Sequence, residues 1–278
     1  MSVTTFALVI CAAVLHASWN AMLKVTSDKT TTIGMLSLGH VTIGVFLLAF
    51  APFPDAKSWP YLAASSFIHY AYYYLLVRSY RLGDLSQVYP IARGIVPVLV
   101  ALGAQASVGE SLPLQVWAGI FTVSLGVMLL SVGAISGRVS GAIVGTAITT
   151  GIFIAAYSIA DGLGVRQADT ALGYIAWLFV LEFPVVIYVA YLRGQTLFQV
   201  PSKVLGLGFL GGLISGLAYG LVIYAKEFSS LGVVSALRET SVLFAALIGV
   251  LLLGERPWQS RVLAAGIVVT GVCLIALN

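Results

Sequence analysis

Residues 101–127 read ALGAQASVGESLPLQVWAGIFTVSLGV, and residues 246–272 read ALIGVLLLGERPWQSRVLAAGIVVTGV. A shift of 145 positions superposes the two stretches without a gap. Three dipeptides recur under this shift: Ala101-Leu102 as Ala246-Leu247, Gly109-Glu110 as Gly254-Glu255, and Gly126-Val127 as Gly271-Val272. The chain therefore contains an internal repeat. Its halves meet near Ser136, which predicts one unit over residues 1–136 and a second over residues 137–278.

The composition is that of a membrane protein. Of 278 residues, 60% are hydrophobic and only 9% are charged, whereas a soluble domain carries about 25% charged residues. This excludes a secreted globular domain and a disordered chain. The net charge of +4 comes from 14 basic residues spread along the chain. They form no basic stripe, so we expect a lipid bilayer and no nucleic acid as partner.

Hydrophobic runs predict ten membrane-spanning helices, because about 20 apolar residues cross about 30 Å of hydrocarbon. The predicted spans, each expected as one continuous helix, are 4–25, 33–51, 60–80, 86–107, 113–134, 141–163, 171–192, 203–225, 231–252 and 259–277. The predicted fold is thus an all-α polytopic membrane protein. Since each half holds five spans, an odd number, the second copy must be inverted. Inverted repeats with a site at their interface are typical of transporters.

The repeated motif resembles the EamA unit of the drug/metabolite transporter superfamily. In that motif a Gly-Glu pair is followed by two small residues at fixed distances, here Glu110, Gly119 and Gly126, then Glu255, Ala264 and Gly271. Pro97 is similar to the family's proline in the fourth helix, and Val242 replaces it in the second half. The resemblance implies ten helices in two inverted repeats around a central cavity in the inner (plasma) membrane, without an ATP-binding domain. Residues 15–21 are also similar to a subgroup associated with organophosphonate metabolism.

Two readings of the orientation conflict. Loops after odd-numbered spans hold nine Lys and Arg, and even-numbered loops hold three, with Lys226 counted among them. Positively charged loops face the cytoplasm, which would place both termini outside. The resemblance implies both termini inside, and we follow it.

Two arginines occupy equivalent positions in spans 4 and 9. Arg93 falls on Arg238 under the repeat shift. A charge in mid-span costs about 2.5–3.5 kcal/mol, so it needs a partner or a function. A guanidinium can bind a carboxylate or phosphonate in bidentate fashion, and the alternative is a structural ion pair. Tyr89 lies four residues before Arg93 and shares its face.

Two glutamates are candidates for ion coupling. Glu182 lies near the middle of span 7, where a carboxyl group can exchange a proton; the alternative is neutralisation by Arg93 or Arg238. Glu239 follows Arg238, but successive helical residues point about 100° apart. We therefore expect Glu239 to pair with another helix. Asp161 is predicted to be an interfacial loop acid.

Polar and aromatic residues of spans 1 and 3 are candidate ligands of a solute. His16 and Asn20 share one face of span 1 with Lys24, which should reach the interface; the alternative for His16 and Asn20 is a helix–helix hydrogen bond. Trp19 lies alongside as a candidate to stack on the solute, with packing as the alternative. His69 and Tyr73 share a face of span 3. Flanking tyrosines of that span are assigned to an aromatic belt at the membrane surface, namely Tyr72 and Tyr74.

Span 8 carries glycines in strict steps of four, at Gly208, Gly212, Gly216 and Gly220. This spacing predicts a packing face for a second helix. Ser215 and Tyr219 lie on a neighbouring face and are expected to reach the cavity. Cys11 and Cys273 lie in apolar runs without metal-ligand spacing, so they are predicted to be packing residues, and no metal or other cofactor is expected.

The leading hypothesis is a secondary active transporter, an exporter or exchanger of a small polar metabolite such as an amino acid or another anionic or zwitterionic solute. It would work by alternating access, with a proton or another ion as coupling partner, as a monomer or homodimer. One alternative is an intramembrane serine hydrolase using Ser215 with His69 or His16. Another is a multidrug or cation exporter of the same fold.

Overall fold

The computed structural model describes the backbone of residues 1–82, 85–134, 141–251 and 258–277. It does not describe the side chains of residues 76–89, 131–134, 142, 249–251, 258, 260 and 261, so the predicted ligand Tyr89 lies outside the described side chains. Every described element is a helix. The α-helices are α1 Val3–Lys24, α2 Lys29–Leu48, α3 Trp59–Leu82, α4 Leu85–Val108, α5 Leu114–Ala134, α6 Gly141–Arg166, α7 Ala171–Val180, α8 Phe183–Arg193, α9 Ser202–Phe228, α10 Leu231–Arg238, α11 Ser241–Leu251 and α12 Trp258–Ala276.

Several of these helices can cross a bilayer. Seven segments are long and apolar enough: Val3–Lys24, Lys29–Leu48, Pro90–Val108, Ile143–Arg166, Ala171–Gln199, Ser202–Phe228 and Leu231–Ile248. Two shorter apolar helices, Leu114–Leu130 and Val262–Ala276, accompany them. The chain is therefore a multi-pass membrane protein, as its composition predicted.

Polar side chains cap the first two helices. The Ser2 hydroxyl accepts the Thr5 N–H at 3.1 Å before α1, and the Asp28 carboxylate accepts the Thr31 N–H at 3.1 Å before α2. Such caps replace the carbonyl partners that the first turn of a helix lacks. Each predicted span coincides with one helix, except spans 7 and 9, which are each divided into two.

The first interruption separates α7 from α8. Pro184 has no N–H to donate, which disrupts the helical ladder, and the Val185 N–H bonds to the Glu182 carbonyl at 2.9 Å instead. The Leu181 carbonyl, left without a helical donor, accepts the Tyr70 hydroxyl of α3. The prediction of one continuous helix over residues 171–192 was therefore wrong, and Glu182 lies at the break.

The second interruption separates α10 from α11, where no proline occurs. Both the N–H and the hydroxyl of Thr240 donate to the Leu237 carbonyl, at 3.0 and 2.7 Å. This tightens the chain into a non-α turn, so one continuous helix over residues 231–252 was also wrongly predicted. In the first half, α4 continues through Pro97. The two halves thus differ at equivalent positions.

Helices of the two halves pack against one another. In α5 and α12 the contact uses the small residues of the repeated motif: a Cβ on Gly119 would lie 2.8 Å from the Gly271 carbonyl oxygen, and one on Gly126 would lie 3.1 Å from the Ala264 carbonyl oxygen. The motif therefore allows close backbone contact between the last helices of the repeats. α1 and α2 pack along α9, while α3 and α4 pack along α6.

The glycine face of α9 contacts α2. A Cβ added to Gly39 of α2 would lie only 2.7 Å from the Gly212 Cα. The neighbouring Gly208 and Gly216 face Met35 and His40 of α2 at similarly short range. The prediction of a packing face is confirmed, and this contact brings polar residues of α2 next to Ser215.

Candidate functional site

A buried ion pair connects α4 with the second helix break. Arg93 donates through Nε to Glu239 Oε2 at 3.0 Å, and its second nitrogen lies 2.7 Å from Oε1. The side chains are 5% and 1% exposed. Glu239 therefore pairs with another helix, as predicted. Arg93 forms the structural ion pair that was the alternative to solute binding. Two close contacts to one carboxylate hold both side chains in place.

Arg238 is buried but lies in a different environment. Its guanidinium carbon lies 5.2 Å from the centre of the Tyr219 ring, which is within range for a cation–π contact. Among the described residues, no carboxylate lies within ion-pair distance of Arg238. The charge of Arg238 acts electrostatically on Glu239, His16 and Lys226.

Aromatic rings from α3, α6 and α9 form a cluster beside Arg238. We call His69, Tyr157 and Tyr219 the aromatic cluster. The rings of His69 and Tyr157 are stacked with centres 4.0 Å apart, and that of Tyr219 lies 5.9 and 6.0 Å from them. Tyr73 lies 6.5 Å from His69, as their shared face predicted. Tyr157, which the sequence did not single out as a ligand, closes the cluster.

Asp161 is buried completely within α6. It accepts hydrogen bonds from the Tyr174 hydroxyl at 3.1 Å and from the Tyr219 hydroxyl. The prediction of an interfacial loop acid was wrong, because α6 continues to Arg166 and keeps Asp161 inside the bundle. Two phenolic donors stabilise the carboxylate where water is excluded.

Lys226 is also buried completely, near the end of α9. Its Nζ donates to the carbonyl and hydroxyl oxygens of Ser158 at 2.9 and 2.8 Å, and lies 5.9 Å from the Tyr219 ring centre. Its assignment to a loop was wrong because α9 extends to Phe228. The described core around Arg238 thus holds three basic side chains, Arg93, Arg238 and Lys226, against two carboxylates, Glu239 and Asp161.

A second polar group surrounds the first helix break. We call His40, Tyr73, Glu182 and Ser215 the Glu182 cluster. His40 Nδ1 lies 2.9 Å from Glu182 Oε1, and His40 Nε2 lies 2.6 Å from Ser215 Oγ. The Tyr73 hydroxyl donates to Glu182 Oε2 at 3.1 Å. Glu182 is therefore partnered by a histidine rather than by Arg93 or Arg238, the alternative that the sequence suggested.

The sequence did not single out His40. Its position in the middle of span 2 is the signal that could have found it, since an ionisable residue at that depth needs a partner. The span that carries its partner, Glu182, lies more than a hundred residues away. Sequence separation therefore hid the pair.

The polar residues of α1 bond mainly within their own helix. The Trp19 indole donates to His16 Nδ1 at 3.2 Å, and the Asn20 amide donates to the His16 carbonyl at 2.7 Å. His16 is buried, and both Arg93 and Arg238 act on it electrostatically. Lys24 is exposed at the helix end, as predicted.

Charged ties close both ends of the bundle. At one end Arg166 pairs with Glu110 at 2.7 Å and donates to the carbonyls of Lys226 and Ser229 at 2.9 and 2.7 Å. Glu110 also accepts the Leu231 N–H at 3.0 Å, which caps α10. This explains the Gly-Glu of the first motif: Gly109, with φ +67°, ends α4, and Glu110 reaches across to the other half.

At the opposite end, Arg193 of α8 pairs with Asp28 before α2. Partial burial raises the pKa of Asp28, but hydrogen bonds from Thr31 and the charge of Arg193 outweigh it and lower this pKa below its ordinary value. The tie is more exposed than the Arg93–Glu239 pair.

The remaining predictions concern surfaces. Cys11 and Cys273 are exposed, so their assignment as packing residues was wrong. Apolar neighbours in the sequence of a membrane protein are equally compatible with a side chain on the outer surface, which faces lipid. Tyr74 is exposed, as a belt residue should be, whereas the Tyr72 ring packs 5.6 Å from that of Tyr157. Among the described residues no three His, Cys, Asp or Glu side chains gather to hold a metal ion.

Comparison with known proteins identifies the family. The EamA-like transporter family matches twice, over residues 4–132 and 141–277. No curated protein sequence matches the chain. Among solved structures, one described only as the crystal structure of a protein superposes with a TM-score of 0.77 at 17% identity, covering 100% of this chain and 98% of the other. At this identity the likeness shows the shared fold alone. The two family matches span nearly the whole chain, and the protein therefore belongs to the EamA-like transporter family of the drug/metabolite transporter superfamily.

Proposed function

We propose that the protein is a secondary active transporter of a small solute that carries a carboxylate or phosphonate group. The observation that carries this proposal is Arg238, a buried guanidinium for which the described residues supply no carboxylate. An unpaired charge in the membrane interior is costly and marks a binding site by default. A solute anion would neutralise it, and a guanidinium binds such groups in bidentate fashion.

The surroundings of Arg238 favour a zwitterionic solute. The faces of Tyr157 and Tyr219 can attract an ammonium group through cation–π contacts. The amide and imidazole groups of Asn20 and His16 add hydrogen-bonding partners on the α1 side. The same surplus of positive charge disfavours a lipophilic cation, so it argues against multidrug export.

Alternating access is the mechanism that the architecture supports best. We propose that all ten predicted spans cross the inner membrane as two inverted five-helix repeats, with spans 7 and 9 discontinuous. Interrupted helices at a repeat interface are where transporters bind their substrates. The Glu110–Arg166 and Asp28–Arg193 ties lie at opposite ends of the bundle, so opening one while the other holds would expose the site to one side at a time.

The Glu182 cluster bears on the alternative of a serine hydrolase. Its Glu182–His40–Ser215 connectivity matches that of a catalytic triad. However, Ser215 lies in the interior of α9, where backbone N–H groups donate to carbonyls four residues earlier. The N–H groups of Ser215 and its neighbours in α9 are therefore engaged within the helix and do not form an oxyanion hole. This argues against acyl transfer at Ser215.

The proposal is tested by uptake into proteoliposomes. Labelled amino acids and aminoalkylphosphonates are offered to vesicles preloaded with the same unlabelled solute, so that exchange needs no gradient. We expect exchange of at least one solute by the wild type, at least about tenfold weaker apparent affinity in Arg238→Gln, and exchange retained in Ser215→Ala. Exchange that Arg238→Gln leaves unchanged would contradict the assigned site. Hydrolysis of an ester probe that is lost in Ser215→Ala would favour the enzyme.

A further inference from the structure

The Glu182 cluster surrounds the break between α7 and α8, whereas Arg238 ends α10 at the second break. The Glu182 cluster joins α2, α3, the α7–α8 break and α9 through hydrogen bonds between buried or half-buried side chains. Its histidine and glutamate form the only ion pair among the described residues in which both partners can exchange a proton. We infer that His40 and Glu182 form the proton-binding site of the transporter, with Ser215 as the group that accommodates the proton.

The hydrogen bonds of Ser215 provide the mechanism. Its Oγ lies 2.6 Å from His40 Nε2 and 3.2 Å from the Gly212 carbonyl. With neutral His40, Nδ1–H donates to Glu182 and the Ser215 hydroxyl donates to Nε2. When a proton binds Nε2, this nitrogen becomes a donor, and the Ser215 hydroxyl accepts from it and turns its own hydrogen to Gly212. Both states therefore satisfy every partner without displacement of a heavy atom.

The other groups that face the pair hold Glu182 as the acceptor. The Tyr73 hydroxyl donates to the second carboxylate oxygen, and Tyr70 donates to the Leu181 carbonyl beside it. His69 of α3 acts on Glu182 electrostatically. The ring of Phe179, stacked 5.0 Å from His40, shields the imidazole on one face. Among the described residues, no Lys or Arg forms an ion pair with Glu182 that would fix its charge.

The position of the pair connects the proton to movement. Glu182 lies between α7 and α8, where the chain can bend, and His40 lies on α2, which packs on α7, α8 and α9. Protonation adds one positive charge to this junction and alters the attraction between α2 and the break. The ring of Tyr73 in the Glu182 cluster lies 6.5 Å from the ring of His69 in the aromatic cluster, so the two clusters adjoin. The pair is thus placed to bias the packing of the helices that hold the solute.

Histidine nitrogen NMR tests proton binding directly. The chain has three histidines, so protein labelled with ¹⁵N-histidine gives few imidazole signals, and the signal absent from His40→Gln identifies His40. We expect spectra at alkaline and acidic pH to show both forms of His40, the neutral imidazole with its proton on Nδ1 and the imidazolium. We expect Ser215→Ala to change the proportion of the two forms at a given pH. A His40 signal in one form at every pH at which the protein stays folded would overturn the inference.

Transport separates this inference from the proposed function on which its coupling role rests. In proteoliposomes with an imposed pH gradient, we expect His40→Gln and Glu182→Gln to lose accumulation while exchange of the same solute without a gradient remains. Accumulation retained in both variants would overturn the coupling role but leave the transporter intact. Absence of exchange in the wild type would contradict the transporter, and the NMR result would still decide the proton site. Variants that elute as monodisperse protein in detergent satisfy the folding control.

Discussion

The two helix breaks of the second half carry the same residue type in opposite roles. At the α10–α11 break, Glu239 is held by Arg93, whose guanidinium stays charged at any physiological pH. At the α7–α8 break, Glu182 is held by His40, and an imidazole gains or loses its charge near neutral pH. Both carboxylates were candidates for coupling. The difference between the two carboxylates therefore lies in the basic partner: an arginine keeps its proton, whereas a histidine can release it.

The difference extends to the two equivalent arginines. Arg93 is satisfied by a carboxylate of the opposite half, whereas no described carboxylate forms an ion pair with Arg238. A duplicated residue has thus acquired a structural role in one copy, and we propose that the other copy binds the solute. The repeat alone could not show which copy had which role, because both arginines are equally deep in their spans.

The largest effect is expected from breaking the fixed tie. Glu239→Gln leaves Arg93 buried without its counter-charge, and removing one partner of a buried pair costs about 3–5 kcal/mol. Denaturant or thermal unfolding of the detergent-solubilised protein would measure this loss in the free energy of unfolding. Glu182→Gln serves as the matched variant at the other break and should cost less. Equal losses in the two variants would remove the distinction.

The two arginines should respond differently to the same substitution. Arg93→Gln leaves Glu239 unpaired and should lower the free energy of unfolding by about 3 kcal/mol. Arg238→Gln removes a charge that has no ion-pair partner among the described residues, and it should change the free energy of unfolding by less than about 1 kcal/mol in either direction. Unfolding of both variants in the absence of solute makes the comparison. If Arg238→Gln alone caused a large destabilisation, Arg238 rather than Arg93 would have the structural role.

The close contact that positions His40 can be disturbed through α9. Gly212→Ala places a Cβ 2.9 Å from the Leu36 Cα, and overpacking of this kind costs about 1–3 kcal/mol. It should also weaken proton-driven accumulation, because α2 carries His40. Gly211→Ala is the control, since a Cβ at Gly211 meets no atom within 4 Å. Similar stability and accumulation in the two variants would show that the contact does not matter.

The smallest effect concerns the tie at the bundle end. Because the pKa of Asp28 is lowered in the folded protein, its carboxylate stabilises the fold above the pKa of the unfolded chain. That contribution is lost as the pH falls through the folded pKa. Relative to Asp28→Asn, the wild type should be more stable by up to about 0.5 kcal/mol at pH 7, and this advantage should shrink progressively as the pH falls below about 4. Melting curves of both proteins at several pH values would measure this difference, in which the contribution of the Arg93–Glu239 pair cancels. A difference in stability that stays constant with pH would contradict the prediction.

The sequence predicted the helical segments well because long apolar runs and an internal repeat leave little choice in a bilayer. It contained a local signal for one of the two helix breaks but not for the other. Pro184 gives a local reason for the interruption at Glu182, whereas the break at Glu239 depends on Thr240 and on the ion pair with Arg93, which is distant in sequence. The contact made by the glycine face of α9 could be predicted from the sequence, because the spacing of the small residues is itself what allows the second helix to approach.

The site was predicted less completely. Arg93, Arg238 and Glu182 stood out because charges are rare in spans. Asp161 and Lys226 were misplaced because the ends of α6 and α9 extend a few residues beyond the apolar runs, and that shift moves a charge from the interface into the core. His40 and Tyr157 are ordinary in their local sequence. Their roles arise only from partners on other helices, and the spacing of residues along one helix does not show such partners.

Solute-dependent thermal stabilisation of purified protein tests the central claim most directly. A ligand that binds the folded state raises the melting temperature, and at a given concentration a tighter ligand raises it further. With a solute that the wild type exchanges, we predict a concentration-dependent rise in the wild type and in Glu182→Gln, and no rise in Arg238→Gln at the same concentrations. An undiminished rise in Arg238→Gln would contradict the assignment of Arg238 as the residue that binds the solute anion.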